Sequence, residues 1–296
     1  MSPIALTLIL ISTLTHASWN LMAYARRSGG RFLLWTLLVI SGLGVAPALV
    51  LELIWPILSP GLWRLAAVSC LCQVLYWLGL MKGYERGDFT VVYPLARALP
   101  ILAVALVDIG RSRDPSAWGW LGITLTVVGC MVMPLQSLRS LRPRNYCNVT
   151  MFWVLVTAAA TAGYTSVDKI SQEIIREVLP GPFGPARYCA LVVGTAGLVL
   201  VPIVSMFVSR QGTTRLGRRQ WFEVVAAGFL VWITYALVQW AYQLTEHASY
   251  VLAVRQFSIV VGVVVAAFIF QEPAQRLRIA GAAIITVGIV CIGLSK

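Results

Sequence analysis

Along most of this chain apolar residues follow one another without the polar interruptions a water-facing fold needs. Ten such runs are separated by short polar connections: 3–24, 31–54, 62–83, 90–109, 117–136, 149–169, 186–208, 221–243, 249–270 and 276–294. Each approaches the roughly 20 residues with which a helix crosses the hydrocarbon core. None alternates apolar and polar residues at the two-residue period of an outer-membrane strand. The pattern predicts an all-α integral membrane protein of ten transmembrane helices. Little chain is left for a soluble catalytic or nucleic-acid-binding module.

Composition sharpens this. Of 296 residues, 59% are hydrophobic and 11% charged, where a soluble domain carries about a quarter charged residues. Mean hydropathy is +0.82. The net charge of +12 does not imply nucleic acid, because the arginines gather in connections such as "ARRSGGR", "RSLRPR" and "RQGTTRLGRR". There they set orientation and meet lipid headgroups. Counted over alternate connections, the heavier basic set makes its face cytoplasmic and both termini external. "THAS" at 15–18 has the form of a leader-cleavage site, but no basic stretch precedes it, so the first run is expected to be a retained helix. Cys70, Cys72, Cys130, Cys147, Cys189 and Cys291 lack paired zinc spacing. They are expected as small core residues, with no metal and no cofactor.

The two halves match each other in order. Trp63 pairs with Trp221, Tyr84 with Tyr242, Arg97 with Arg255 and Ile101 with Ile259, all at one offset. Towards the start the offset shrinks, pairing Pro47 with Pro202, Ser18 with Ser166 and Asn20 with Asp168. Towards the end Gly122 and Gly129 pair with Gly281 and Gly288. The reading is a duplication, 1–147 and 148–296, of five helices each. Five is odd, so the second copy enters the membrane inverted. Inverted repeats hold a solute site near the midplane, at the repeat interface.

Arg97 in "TVVYPLARALPILAVAL" and Arg255 in "SYVLAVRQFSIVVGVVV" each lie about seven residues into a span, roughly 10 Å deep at 1.5 Å per residue. A charge at that depth costs at least ~2.5–3.5 kcal/mol unless it faces a cavity or a partner. Snorkelling to an interface is the alternative for one arginine. Two at matched positions point to a shared central cavity. Pro94 and Pro100 interrupt the hydrogen bonding of the first span, whereas the second copy has Leu252 and Ser258, so any kink is asymmetric.

Around this pair the sequence offers further candidates. Trp19, Asn20 and Asp168 lie on the first and sixth spans, with His16 matched to Tyr164 one turn earlier. Gln73, Tyr76 and Trp77 share one helix face, as do Tyr235, Gln239 and Tyr242. These stripes suit a cavity that hydrogen-bonds and stacks on an organic solute, or else plain helix packing. His16 and Asp168 are candidate proton carriers; Asp168 with Lys169 also fits the wet end of its helix. Gly79, Gly83 and Gly87 form a small-residue stripe for a close helix contact.

"HASWN" at 16–20, and "FIFQEP" followed by "RLRIAGAAIITVGIV", resemble the EamA-like family of the drug/metabolite transporter superfamily. Gln271 stands where that family's turn has a small residue, and the first copy reads "RSRDP". The resemblance implies solute transport by alternating access without naming the solute. With two cationic side chains near the midplane, the expected function is secondary transport of a small organic anion or zwitterion such as an amino acid. Efflux of lipophilic cations and lipid-headgroup flipping are the alternatives. An enzyme is not expected, since H-E-x-x-H and G-x-S-x-G are missing, and no Walker-type loop indicates ATP use. The expected partners are a small-molecule solute and the bilayer, in a bacterial inner membrane, with homodimer formation left open.

Overall fold

Hydrocarbon offers no partner for a bare N–H or C=O, so a spanning segment has to pair its backbone internally. In the computed structural model, which describes residues 1–25, 31–86, 89–133, 135, 149–207, 217–268 and 276–295, the chain does this with helices alone among the described residues. They are α1 (Pro3–Ala25), α2 (Arg31–Ile54), α3 (Pro60–Arg86), α4 (Phe89–Gly110), α5 (Ala117–Val132), α6 (Val149–Val178), α7 (Phe183–Phe207), α8 (Arg218–Gln243), α9 (Ala248–Val254), α10 (Phe257–Phe268) and α11 (Arg276–Leu294). Seven are long and apolar enough to cross a membrane, the makeup of a multi-pass membrane protein. Leu53, Ile54, Met206 and Phe222 keep three quarters or more of their surface outward. The Gln271 turn, Cys147, Gly87 and most of the basic clusters lie outside the described residues, as do the side chains of Tyr84 and Pro94.

Local chemistry explains the helix ends. Ser2 and Ser59 each precede a proline, and their Oγ atoms accept from Ala5 N–H at 3.2 Å and Leu62 N–H at 3.3 Å. Serine at the cap with proline at the first helical position is a favoured helix start. Several threonine hydroxyls within the helices cause no deficit. Thr7, Thr126, Thr157, Thr161, Thr234 and Thr286 each donate to the carbonyl four residues back at 2.6–2.9 Å.

Two elements differ from expectation. First, α6 continues past 169 to Val178, because its polar residues find partners: Ser171 with Tyr188 at 3.0 Å and Gln172 with Gln243 at 3.3 Å. Second, the helix break falls not in α4, which is unbroken from Phe89 to Gly110, but between α9 and α10. At Arg255 and Gln256 the ladder tightens, with Gln256 N–H bonding Ala253 O and Ile259 N–H bonding Gln256 O. Side chains take up the carbonyls so released: Gln256 Nε2 donates to Leu252 O at 3.1 Å and Ser258 Oγ to Arg255 O at 3.0 Å. The helix at Arg255 thus breaks with side-chain donors and no proline.

The main contacts join α1 to α8, α3 to α6, α2 to α7 and α5 to α11, with α4 on α6 and α1 on α10. The largest apolar core gathers Ile9, Ile101, Ile123, Tyr242, Ile285 and Ile292 from α1, α4, α5, α8 and α11. Both termini meet at one face, where the Met1 ammonium donates to Ser295 O at 2.6 Å.

The α5–α11 contact depends on paired glycines. A Cβ at Gly122 falls 2.6 Å from Gly288 O, and one at Gly288 falls 2.8 Å from Gly122 O. Gly129 faces Gly281 O in the same way at 2.8 Å. These obstacles are backbone and cannot yield. Gly262 on α10 has nothing within 4 Å of its own Cβ position. Gly288→Ala is therefore expected to lose about 1–3 kcal/mol, seen as a lowered unfolding temperature in detergent. The same change at Gly262 is neutral or slightly stabilising. Equal effects at the two sites would contradict this packing.

Candidate functional site

The break between α9 and α10 presents Arg255 at the centre of the polar interior. Its guanidinium carbon lies over the Tyr235 ring, 5.3 Å from the centroid, a cation–π arrangement. Tyr164 and Tyr242 are within electrostatic range of it, and so is Arg97 from α4. Both arginine charges also reach His16 of α1. His16 packs edge-on against Trp19 with ring centroids 5.2 Å apart. Tyr76 of α3 adjoins Trp77 at 5.6 Å and Tyr164 at 6.0 Å. The structure thus gathers Arg97, Arg255, His16, Trp19, Tyr76, Tyr164 and Tyr235 from five helices and the α9–α10 break into one cationic, aromatic region. Thr15 and Thr234, matched by a 2.7 Å hydrogen bond, tie α1 to α8 beside it.

Gln73 is buried and lines a cavity with Trp19 and Tyr235. Asn20 stands apart: it is exposed, and its Nδ2 donates to His16 O of its own helix at 2.7 Å.

Asp168 is wholly enclosed, 2% exposed. Its Oδ1 accepts from Ser69 Oγ at 2.5 Å and Tyr188 OH at 3.2 Å, and its Oδ2 from Gln239 Nε2 at 2.7 Å. One carboxyl group therefore joins α3, α6, α7 and α8. Each oxygen is already engaged, which leaves little for a solute cation. Gln239 Oε1 is buried with no partner among the described residues, so turning this amide would let it accept a proton carried on Asp168. Sequence reasoning missed Ser69 and Tyr188, since a hydroxyl in an apolar helix usually bonds its own backbone.

Lys169, also buried, belongs to a different group. It pairs with Glu173 at 2.9 Å and donates to Tyr242 O at 2.8 Å and to Thr245 O. Glu173 in turn holds Arg111 at 2.6 Å, and Arg113, from the α4–α5 connection. Its hydrogen bond raises the proton affinity of the Arg113 guanidinium above the ordinary arginine value. Arg113 also donates to Glu246 O at 3.1 Å. Asp108, at the end of α4, accepts from Ala248 and Ser249 N–H at the start of α9, at 3.3 and 2.9 Å. At the same face Glu52 pairs with Arg187 at 3.0 Å and accepts from Ile57 and Leu58 N–H. Two polar groups, one around Glu173 and one around Glu52, thus tie helix ends together at this face. The one sequence signal for the Glu173 group was the i, i+4 spacing of Lys169 and Glu173.

Cys70, Cys72, Cys130, Cys189 and Cys291 are free thiols, and among the described residues no three His, Cys, Asp or Glu groups converge as metal ligands. Gly79 presses on α6 at Trp153 and Thr157.

No family model and no curated protein matches the chain. Among solved structures 23 chains do. One, named only "Crystal structure of protein", superposes with a TM-score of 0.67 over 98% of this chain and 97% of its own, at 14% identity. At that identity the likeness shows the fold alone.

The geometry separates a structural from a chemical role for Asp168. Asp168→Asn keeps an acceptor for Ser69 and Tyr188, and the Gln239 amide turns to meet the new N–H; stability in detergent is expected to change by less than about 1 kcal/mol. Asp168→Leu strands the Ser69 and Gln239 donors, while Tyr188 keeps Ser171 Oγ as an acceptor at 3.0 Å, and is expected to cost about 2 kcal/mol or more. Equal losses in thermal unfolding would refute the described bonding.

Proposed function

We propose that the chain is a secondary transporter that moves a small organic anion or zwitterion, amino-acid-like in size, by alternating access. In this reading ten crossings form two inverted five-helix repeats, as in EamA-like members of the drug/metabolite transporter superfamily, in a bacterial inner membrane. The helix contacts support the repeat. Exchange α1 with α6, α2 with α7, α3 with α8, α4 with α9–α10 and α5 with α11: the α1–α8 contact becomes α6–α3, and α4–α6 becomes α1 with α9–α10. All of these occur. The contacts α2–α7 and α5–α11 map onto themselves, and Gly122 against Gly288 exchanges with Gly281 against Gly129. Termini that meet at one face suit an even number of crossings.

One observation carries the solute class. Arg97 and Arg255, from exchanged helices, bring two positive charges within electrostatic range of each other and of His16. Like charges at that depth repel, and the costs of burial and of repulsion both fall when an anion enters between them. The helix break at Arg255 supports the same reading, because inverted-repeat transporters bind solutes at discontinuous helices. Asp168 supplies a proton-carrying group for coupling to a gradient.

Purified protein in proteoliposomes, tested with a panel of labelled carboxylates and amino acids, is expected to move one class of anion or zwitterion. Arg97→Gln and Arg255→Gln should each reduce its initial rate about tenfold or more without loss of insertion. Rates equal to wild type in both variants would remove the anion site.

A further inference from the structure

A small cavity of about 30 Å³ lies beside the arginine region, among α1, α2, α3, α7 and α8. That is room for one or two water molecules. Its walls are mostly aliphatic, with Trp19, Thr36, Gln73, Trp77 and Tyr235 adding the polar and aromatic parts. Among the described residues no charged side chain lines it. Two nitrogens among its lining residues have no partner among the described residues: Trp19 Nε1 and Gln73 Nε2. Both residues are more than nine-tenths buried, at 8% and 5% exposure. Thr36 spends its hydroxyl proton on Phe32 O at 2.8 Å.

Indole Nε1–H is a donor only, so Trp19 cannot be satisfied by turning about. The Gln73 amide presents a second donor from the facing helix. Buried donors without acceptors are rare and costly, and two around one water-sized space call for an oxygen there. The missing group has to accept and does not have to donate. It also has to be neutral, because a second carboxylate in this uncharged, apolar lining would carry an uncompensated charge.

Position supplies the rest. Tyr235, one wall of the cavity, is the ring over which the Arg255 guanidinium sits at 5.3 Å. Trp19 in turn touches His16, within reach of both arginine charges. The cationic region and the donor-lined cavity therefore border the same aromatic groups.

We propose that Trp19 and Gln73 form the second pole of the solute site, taking a neutral carbonyl or ether oxygen of the solute whose anionic group lies at Arg97 and Arg255. The solute class is then an oxo acid or an acid with an amide or ether oxygen a few atoms from its charge, in preference to a plain carboxylate or a dicarboxylate. Water fills the cavity when no solute is bound. This rests on the anion-site reading of the two arginines.

The test is equilibrium binding by calorimetry to the full chain in detergent. The probes are 4-oxopentanoate, 5-oxohexanoate and 6-oxoheptanoate, each beside its unsubstituted parent acid and the dicarboxylate of equal length. In the wild type the best-fitting oxo acid is expected to bind about tenfold or more tighter than its parent and tighter than the dicarboxylate. Trp19→Phe, which keeps the ring and removes the N–H, and Gln73→Leu should each shrink that ratio at least about threefold. Arg255→Gln should weaken oxo and parent acids alike. Oxo and parent acids that bind equally, while both still depend on Arg255, would overturn the second pole and leave the anion site standing. Binding of neither acid, or binding indifferent to Arg97→Gln and Arg255→Gln, would overturn both. If Trp19→Phe fails to fold, Gln73→Leu and the wild-type ratio decide the matter.

Discussion

Everything in this molecule follows from the penalty on an unpaired polar group in hydrocarbon. Helices answer it for the backbone, and threonine hydroxyls answer it by returning to carbonyls four residues back. Arg255 does not fit that scheme. It stands where the helix ladder itself is interrupted, with Gln256 and Ser258 side chains occupying the released carbonyls. A broken helix, a guanidinium over a tyrosine ring and a second arginine in range form one local arrangement. Such an arrangement is favoured where it lines a cavity or meets a counter-charge. Asp168 lies within electrostatic range of Arg255, and under the proposed transport function an anionic solute adds a further counter-charge.

The Glu173 group at the face of the termini has a mechanical meaning under the same function. Glu173 binds the α4–α5 connection to α6, and Arg113 extends the link to the α8–α9 connection. Asp108 of α4 holds the first N–H groups of α9. The helices that carry Arg97 and Arg255 are therefore fastened to one another at this end. Opening this face to the solute site requires Glu173 and Asp108 to release their partners together.

Much of this was legible in the sequence, for physical reasons. Long apolar runs betray spanning helices because few residues there can be polar. The glycines singled out by the sequence, Gly122, Gly129, Gly281 and Gly288, all lie in the close α5–α11 contact. Trp19, Gln73, Tyr76, Tyr164 and Tyr235 were visible because large polar-tipped aromatics and amides are conspicuous in apolar helices. What stayed hidden depended on partners distant in sequence. The extension of α6 to Val178 is held by Tyr188, Gln243 and the arginines after α4, none of which local pattern can supply. The break at Arg255 lacks the proline that announces such features, and prolines misdirected attention to α4. Asn20, equivalent in sequence to the buried Asp168, faces outward because its amide is content with its own helix.

Whether the two arginines face a shared watery cavity can be measured directly. In a background with the native cysteines replaced, Arg255→Cys is treated with thiosulfonate reagents of opposite charge. Arg97 remains in place, so an electropositive cavity is expected to speed the anionic reagent over the cationic one by about tenfold or more, and Arg97→Gln should abolish the difference. A thiol that reacts with neither reagent, or faster with the cationic one, would contradict a common anion site.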